Sequence, residues 1–122
     1  PEVELILAGD TGFDPSKYDA IGFASGIYMG KLHREVRKVM DGLTGEGRKA
    51  FVLFTCGDNA GGKYADRVME ALQQKGFETC GFYWCVGLDT IGPLKLFGGV
   101  HKGRPNADDA KDAVKFFESL NL

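Results

Sequence analysis

The sequence predicts an α/β protein with a parallel sheet covered by helices, and three observations carry that expectation. The period of hydrophobicity switches repeatedly between that of a strand and that of a helix. Several apolar runs are short and nearly unbroken, as in strands covered on both faces. The order of elements is β, β, α, β, α, β, α, and alternation of this kind implies crossover connections between parallel strands. With 122 residues and 43% apolar content, one domain is expected to form a core of its own.

Taken in order, Val3, Leu5 and Leu7 alternate with Glu2, Glu4 and Ile6, which predicts a half-covered strand. "AGDTGFDPSKYD" follows, dense in Gly, Asp, Pro and Ser, and is expected to be a loop. "AIGFAS" (Ala20 to Ser25) and "AFVLFT" (Ala50 to Thr55) predict buried parallel strands, and "TCGFYWCV" (Thr79 to Val86) a fourth strand rich in aromatics. Between them, Leu32, Val36, Val39, Met40 and Leu43 recur at helical spacing, leaving His33, Arg34, Arg37 and Lys38 toward water. Tyr64, Val68, Ala71 and Leu72 predict a second helix, ended by Gly76 as a left-handed cap. Ala110, Ala113, Val114, Phe117 and Leu120 predict a third, with Asn106 as N-cap and Asp108 and Asp109 complementing its dipole.

Composition narrows the function. A net charge of −2 gives no clustered basic face for nucleic acid. No apolar run approaches the roughly 20 residues that span a bilayer, and a cytoplasmic location is expected. Cys56, Cys80 and Cys85 form no CxxC pair, so neither a disulfide framework nor a four-ligand zinc site is legible. Cys80 and Cys85 are expected on opposite faces of one strand, as reduced thiols. No Ser-His-Asp set, paired carboxylates or metal spacing is legible either.

Ligands of such sheets collect at the carboxyl ends of the strands. Three glycine-rich loops are candidates: Ser25 to Gly30, Cys56 to Gly62, and Gly87 to Arg104. The first presents Ile27, Tyr28 and Met29 between Gly26 and Gly30, an aromatic and a thioether suited to a planar heteroaromatic. The second precedes a helix, whose amides suit anionic or carbonyl acceptors. His101, Lys102 and Arg104 form a weaker anion candidate, and the basic face around His33 a weaker docking candidate.

"YDAIGFASGIYMG" followed by a helix, then "KAFVLFTCGDN" and "YADRVMEALQQKGFE", resembles flavodoxin and its relatives, and the tail from Gly87 is similar to the end of flavodoxin-family proteins. The resemblance covers nearly the whole chain and implies one flavodoxin-like domain, a three-layer sandwich, that binds FMN and transfers electrons. It implies that Ser25, Gly26, Ile27, Tyr28, Met29 and Gly30 flank the isoalloxazine ring. Cys56, Gly57, Asp58 and Asn59 would contact the ring's other edge, with Asp58 opposing an anionic reduced flavin. A redox partner protein is implied as well. A cofactor-free interaction module on the same fold is the alternative. A phospho-receiver domain would need an aspartate where Ser25 stands.

The sequence departs from the family at its start, where the family's first strand, phosphate-binding loop and first helix have no counterpart. Losing three or four charge-assisted phosphate contacts would cost on the order of 5 to 10 kcal/mol of FMN affinity. That first strand is also central in the family's strand order, so its absence implies a slot about 9.6 Å wide, two strand spacings. Either Val3–Leu7 moves beside Ala20–Ser25, or a strand from an N-terminal segment or second chain outside these residues fills the slot. The second is the expectation, because "GDTGFDPSKYD" fits the family's linker across an intervening strand.

Overall fold

In the computed structural model, residues 2–10, 13–57, 60–87 and 106–122 are described. After a 3-10 turn at Pro15–Lys17, the elements are β1 (Ala20–Tyr28), β2 (Lys31–Leu32), α1 (Arg34–Gly42), β3 (Lys49–Cys56), α2 (Gly61–Gln74), β4 (Glu78–Val86) and α3 (Ala107–Ser119). The sheet order is β2-β1-β3-β4. β1 and β4 both run parallel to β3, with Phe23 opposite Val52 and Val52 opposite Phe82. The strands expected near Ala20, Ala50 and Thr79 are therefore parallel neighbours in that order, each pair joined through a helix.

β3 explains the core. Its alternate residues Ala50, Val52, Phe54 and Cys56 are buried, and they cluster with Ile21 and Phe23 of β1, Met40 of α1, and Ala65 and Leu72 of α2. α1 and α2 thus cover one face of the sheet. The opposite face meets α3, because Phe51 packs against Phe116 and Phe117, and Tyr83 against Phe116. Side chains alternate along a strand, so one run of apolar residues serves both layers. At the sheet's amino end the loop after α1 crosses the loop after α2 closely. Gly45 donates its amide to Lys75 O, and an added Cβ on Gly45 would lie 2.2 Å from Phe77 N.

Four expectations change. Val3–Leu7 forms no strand; Val3, Leu5 and Leu7 are 73%, 90% and 69% exposed, because no neighbour pairs with that segment among the described residues. Leu32 leaves the predicted helix for β2, since Met29 and Gly30, with φ of 52° and 80°, make the tight turn of a type I′ hairpin. Ala71 is exposed and Ala65 is fully buried in its place. On α3, Ala110 and Val114 are exposed, and the packed face runs through Ala113, Phe116, Phe117 and Leu120. Asn106 is the N-cap, and Asp109 returns the bond at 2.8 Å in a capping box. Gly76 takes φ 91° after α2, as its cap position requires.

Candidate functional site

The carboxyl ends of β1 and β3 lie side by side, with Gly26 opposite Thr55. Of the ten predicted ring-site residues, Ser25, Gly26, Ile27, Tyr28, Met29, Gly30, Cys56 and Gly57 are described, whereas Asp58 and Asn59 lie outside the described residues. Ser25 to Gly30 is not a loop. β1 continues through Tyr28, and Met29-Gly30 turns it back into β2, with Ile27 opposite Leu32 and Tyr28 opposite Lys31. The signal for this was Gly30 as second residue of a two-residue turn, followed by the polar-apolar pair Lys31-Leu32.

The hairpin fixes what its side chains do. Tyr28 is 53% and Met29 82% exposed. The Tyr28 ring folds back over Gly26, where an added Cβ would come within 3.1 Å of it, and meets the His33 ring edge-on at 5.3 Å. Gly26 is thus small because the tyrosine needs the space. Ser25 Oγ accepts from the His33 amide at 2.9 Å and donates to Gly26 O at 2.6 Å, tying the hairpin to the start of α1. Ile27 is half-buried against the core, so Tyr28 and Met29, not Ile27, form the presented surface.

The second loop is anchored from below. Cys56 is buried, and Gly87 donates its amide to Cys56 O at 2.9 Å, linking the ends of β3 and β4. α2 begins without a side-chain cap at Ala60, and Gly61 sits on the Trp84 indole, which stacks on Phe54 at 6.4 Å. A Cβ at Gly61 would lie 2.0 Å from that indole, so this glycine brings the helix start against the sheet end. Cys80 and Cys85 are half-buried in β4, and Cys80 falls at a register shift, with Thr79 opposite Ala50 and Gly81 opposite Phe51. No disulfide joins Cys56, Cys80 and Cys85.

The basic helix face is partly structural. His33 is the N-cap of α1, its Nδ1 accepting from the Glu35 amide at 3.1 Å, and Arg37 Nε donates to Leu32 O at 3.0 Å. Arg34 and Lys38 reach Glu35 at 3.9 and 3.7 Å on an exposed surface. His101, Lys102 and Arg104, with most of the third candidate loop, lie outside the described residues. No cluster of His, Cys, Asp or Glu fit for a metal occurs among the described residues. No described helix is long and apolar enough to cross a membrane.

A cavity of about 450 Å³ runs along the edge of β1, where the sequence predicts a slot, with residues 4–8 among its lining. It reaches Gly26, Tyr28 and His33 at the hairpin end. Tyr18 hydroxyl donates to Glu4 Oε2 at 2.6 Å and so tethers the far wall. This bond raises the Tyr18 phenol above its ordinary value. Below it, the Ser16 hydroxyl and amide on the Asp14 carboxylate lower that group.

Fold and site together define an open-sheet α/β protein whose strand ends present an aromatic hairpin. No protein-family model matches the chain. Over 104 residues it is 41% identical to the uncharacterized protein MJ0298 of Methanocaldococcus jannaschii, across 84% of this chain and 69% of that protein, and the chain belongs to the same family.

Proposed function

We propose that the carboxyl ends of β1 and β3 carry the ring-contacting part of an FMN site on a flavodoxin-like three-layer sandwich, in an electron carrier or small flavin-dependent reductase. The observation that carries this reading is the Tyr28–Met29 hairpin, whose two side chains are exposed at the carboxyl end of β1. An aromatic and a thioether held on a rigid two-residue turn suit the face of a heteroaromatic ring. The residues fit the ring: Tyr28 is braced by His33 and Gly26, so little side-chain freedom would be lost on contact. Bound FMN would supply one- or two-electron chemistry. The chain's own part is to stack on the ring and exclude water, while the charge of Asp58 tunes the reduced state. Backbone groups at Gly57 would contact the edge of the ring. Binding of a redox partner at the same end of the sheet belongs to this reading.

Titrating the purified protein with FMN tests it. Binding should perturb the flavin bands near about 370 and 450 nm, which belong to the cofactor's own chemistry. Unchanged bands at saturating FMN would reject the ring site. The second reading, a cofactor-free interaction module, is favoured by the open edge of β1, and unchanged bands would favour it.

A further inference from the structure

An N-cap residue holds its helix by accepting a hydrogen bond from an amide of the first turn, and Ser, Thr, Asp and Asn are the usual choices. α1 uses His33 instead, whose Nδ1 accepts from the Glu35 amide at 3.1 Å. An imidazole nitrogen accepts only while it carries no hydrogen, so this cap requires a neutral ring with its hydrogen on Nε2. Among side chains able to cap a helix, histidine is the one that ordinarily changes charge between about pH 5 and 8. The same ring meets Tyr28 edge-on, with centroids 5.3 Å apart and planes at 82°. Tyr28 in turn lies over Gly26. The main chain of His33 is fixed separately, its amide donating to Ser25 Oγ at 2.9 Å, so the side chain is able to turn while the backbone stays on β1.

We propose that His33 is a positioning residue for Tyr28, and that protonation of its imidazole releases the tyrosine from its braced orientation. In the imidazolium both nitrogens carry hydrogen, so Nδ1–H would face the Glu35 N–H, donor against donor. The positive end of the α1 dipole opposes the new charge as well. Of the charged groups around the ring, Glu35 is shared by Arg34 and Lys38, and Arg37 donates to Leu32 O. Lys31 of β2 stands opposite Tyr28, and Asp10 and Glu4, the latter bound to Tyr18, line the same cavity as His33. These groups bear on how readily the ring is protonated, whereas loss of the cap follows from where the proton goes. The ring then turns out of the cap, and its edge-on contact with Tyr28 goes with it. A freed Tyr28 has more side-chain freedom to lose on meeting a ligand, so the hairpin binds less well in mild acid. That consequence rests on the ring site proposed above; the release itself does not.

Nuclear magnetic resonance of the purified protein without FMN, titrated from about pH 8 to 5, tests it. Through-space contacts of the Tyr28 ring protons with Gly26 Hα and with the His33 ring should weaken severalfold, at the midpoint shown by the His33 ring signals. The Glu35 amide signal should move with the same midpoint as its acceptor is lost. His33→Asn keeps a cap acceptor that does not titrate, so neither the Glu35 amide nor the Tyr28–Gly26 contact should show that transition. The chain's other histidine, His101, remains in that variant as a titrating control. Three results would overturn the proposal: Tyr28–Gly26 contacts that survive protonation of His33, a Glu35 amide that does not follow it, or the same transition in His33→Asn. An imidazolium held on the Tyr28 face by cation–π attraction would give the first of these. Because no flavin is present, failure of the ring site leaves this result as it stands.

Discussion

β3 and β1 have similar apolar sequences and opposite surroundings. β3 has a parallel neighbour on each side, helices on both faces, and Ala50 and Val52 fully buried. Among the described residues β1 has one full neighbour, and Gly22 and Ala24 on its second face are exposed while Ile21 and Phe23 on the first are buried. The difference teaches that apolar content specifies what a strand is able to bury, whereas its place in the sheet decides what it does bury. Ala20, Gly22, Ala24 and Gly26 leave one face of β1 nearly flat, and the Phe51 ring of β3 lies over it at Gly22. A strand with so little to cover it is half of an arrangement.

The largest expected effect contrasts the two regions directly. Leu72 is fully buried over the paired part of the sheet, so Leu72→Ala should lower unfolding free energy by about 2 to 5 kcal/mol. Leu5 is 90% exposed beside the slot, and Leu5→Ala should change it by less than about 0.5 kcal/mol. Denaturant titration of both variants checks the pair. Similar losses would mean that the N-terminal segment is packed in solution, and the comparison would fail.

Next comes the junction above β3. In Gly61→Ala the new methyl would start 2.0 Å from the Trp84 indole, and a stacked ring cannot retreat without leaving Phe54. A loss of about 1 to 3 kcal/mol is expected, the usual scale of overpacking. A shifted tryptophan emission should accompany it, and since Trp84 is the chain's one tryptophan, the signal is unambiguous. Unchanged emission and stability would show that α2 starts further from the sheet.

The strand ends sharpen the comparison in function. Tyr28→Ala at the end of β1 should weaken FMN by roughly 1 to 3 kcal/mol, the scale of an aromatic stacking contact on a base. Asp58→Asn after β3 should leave affinity nearly intact and make the bound flavin easier to reduce, because it removes a charge that opposes the reduced anion. Equal midpoint potentials for the two proteins would reject that role for Asp58.

How much of this was legible follows from which forces were local. The three parallel strands and their order could be read because "AFVLFT" and its neighbours are short apolar runs separated by helical periods, and burial enforces both. The Asn106 cap was legible because capping is decided within four residues. The hairpin at Met29-Gly30 was hidden by Leu32, whose spacing to Val36 also suits a helix. On α3, Phe116 and Phe117 are adjacent, so the periodic stripe alone did not show that both pack on Phe51. Val3–Leu7 failed as a strand for a nonlocal reason: alternation describes a segment ready to pair, and pairing requires a partner at the right edge. At the site, side-chain types pointed to Tyr28 and Met29, but the brace of His33 on Tyr28 came from the turn and was invisible in one dimension.

The smallest effect concerns the wall of the slot. Tyr18 donates to Glu4 at 2.6 Å, and this bond, with desolvation second, raises the phenol above its ordinary value of about 10. A group whose folded-state value is raised adds stability in full below its unfolded value and loses it as pH rises through the folded one. The tether should therefore hold at neutral pH and release only in alkaline solution, above about pH 10. The bond lies at an exposed site, so the contribution is small, and the phenol's titration is the better readout. Glu4→Gln removes the carboxylate acceptor and should move the absorbance titration of one tyrosine down toward its ordinary value. The same change frees residues 4–8, and Ala20–Gly26 should exchange faster if that wall shelters the open edge. A tyrosine titration identical in the two proteins would show that Glu4 does not hold Tyr18, and the slot would lose its fixed far side while β3, paired on both edges, would be untouched.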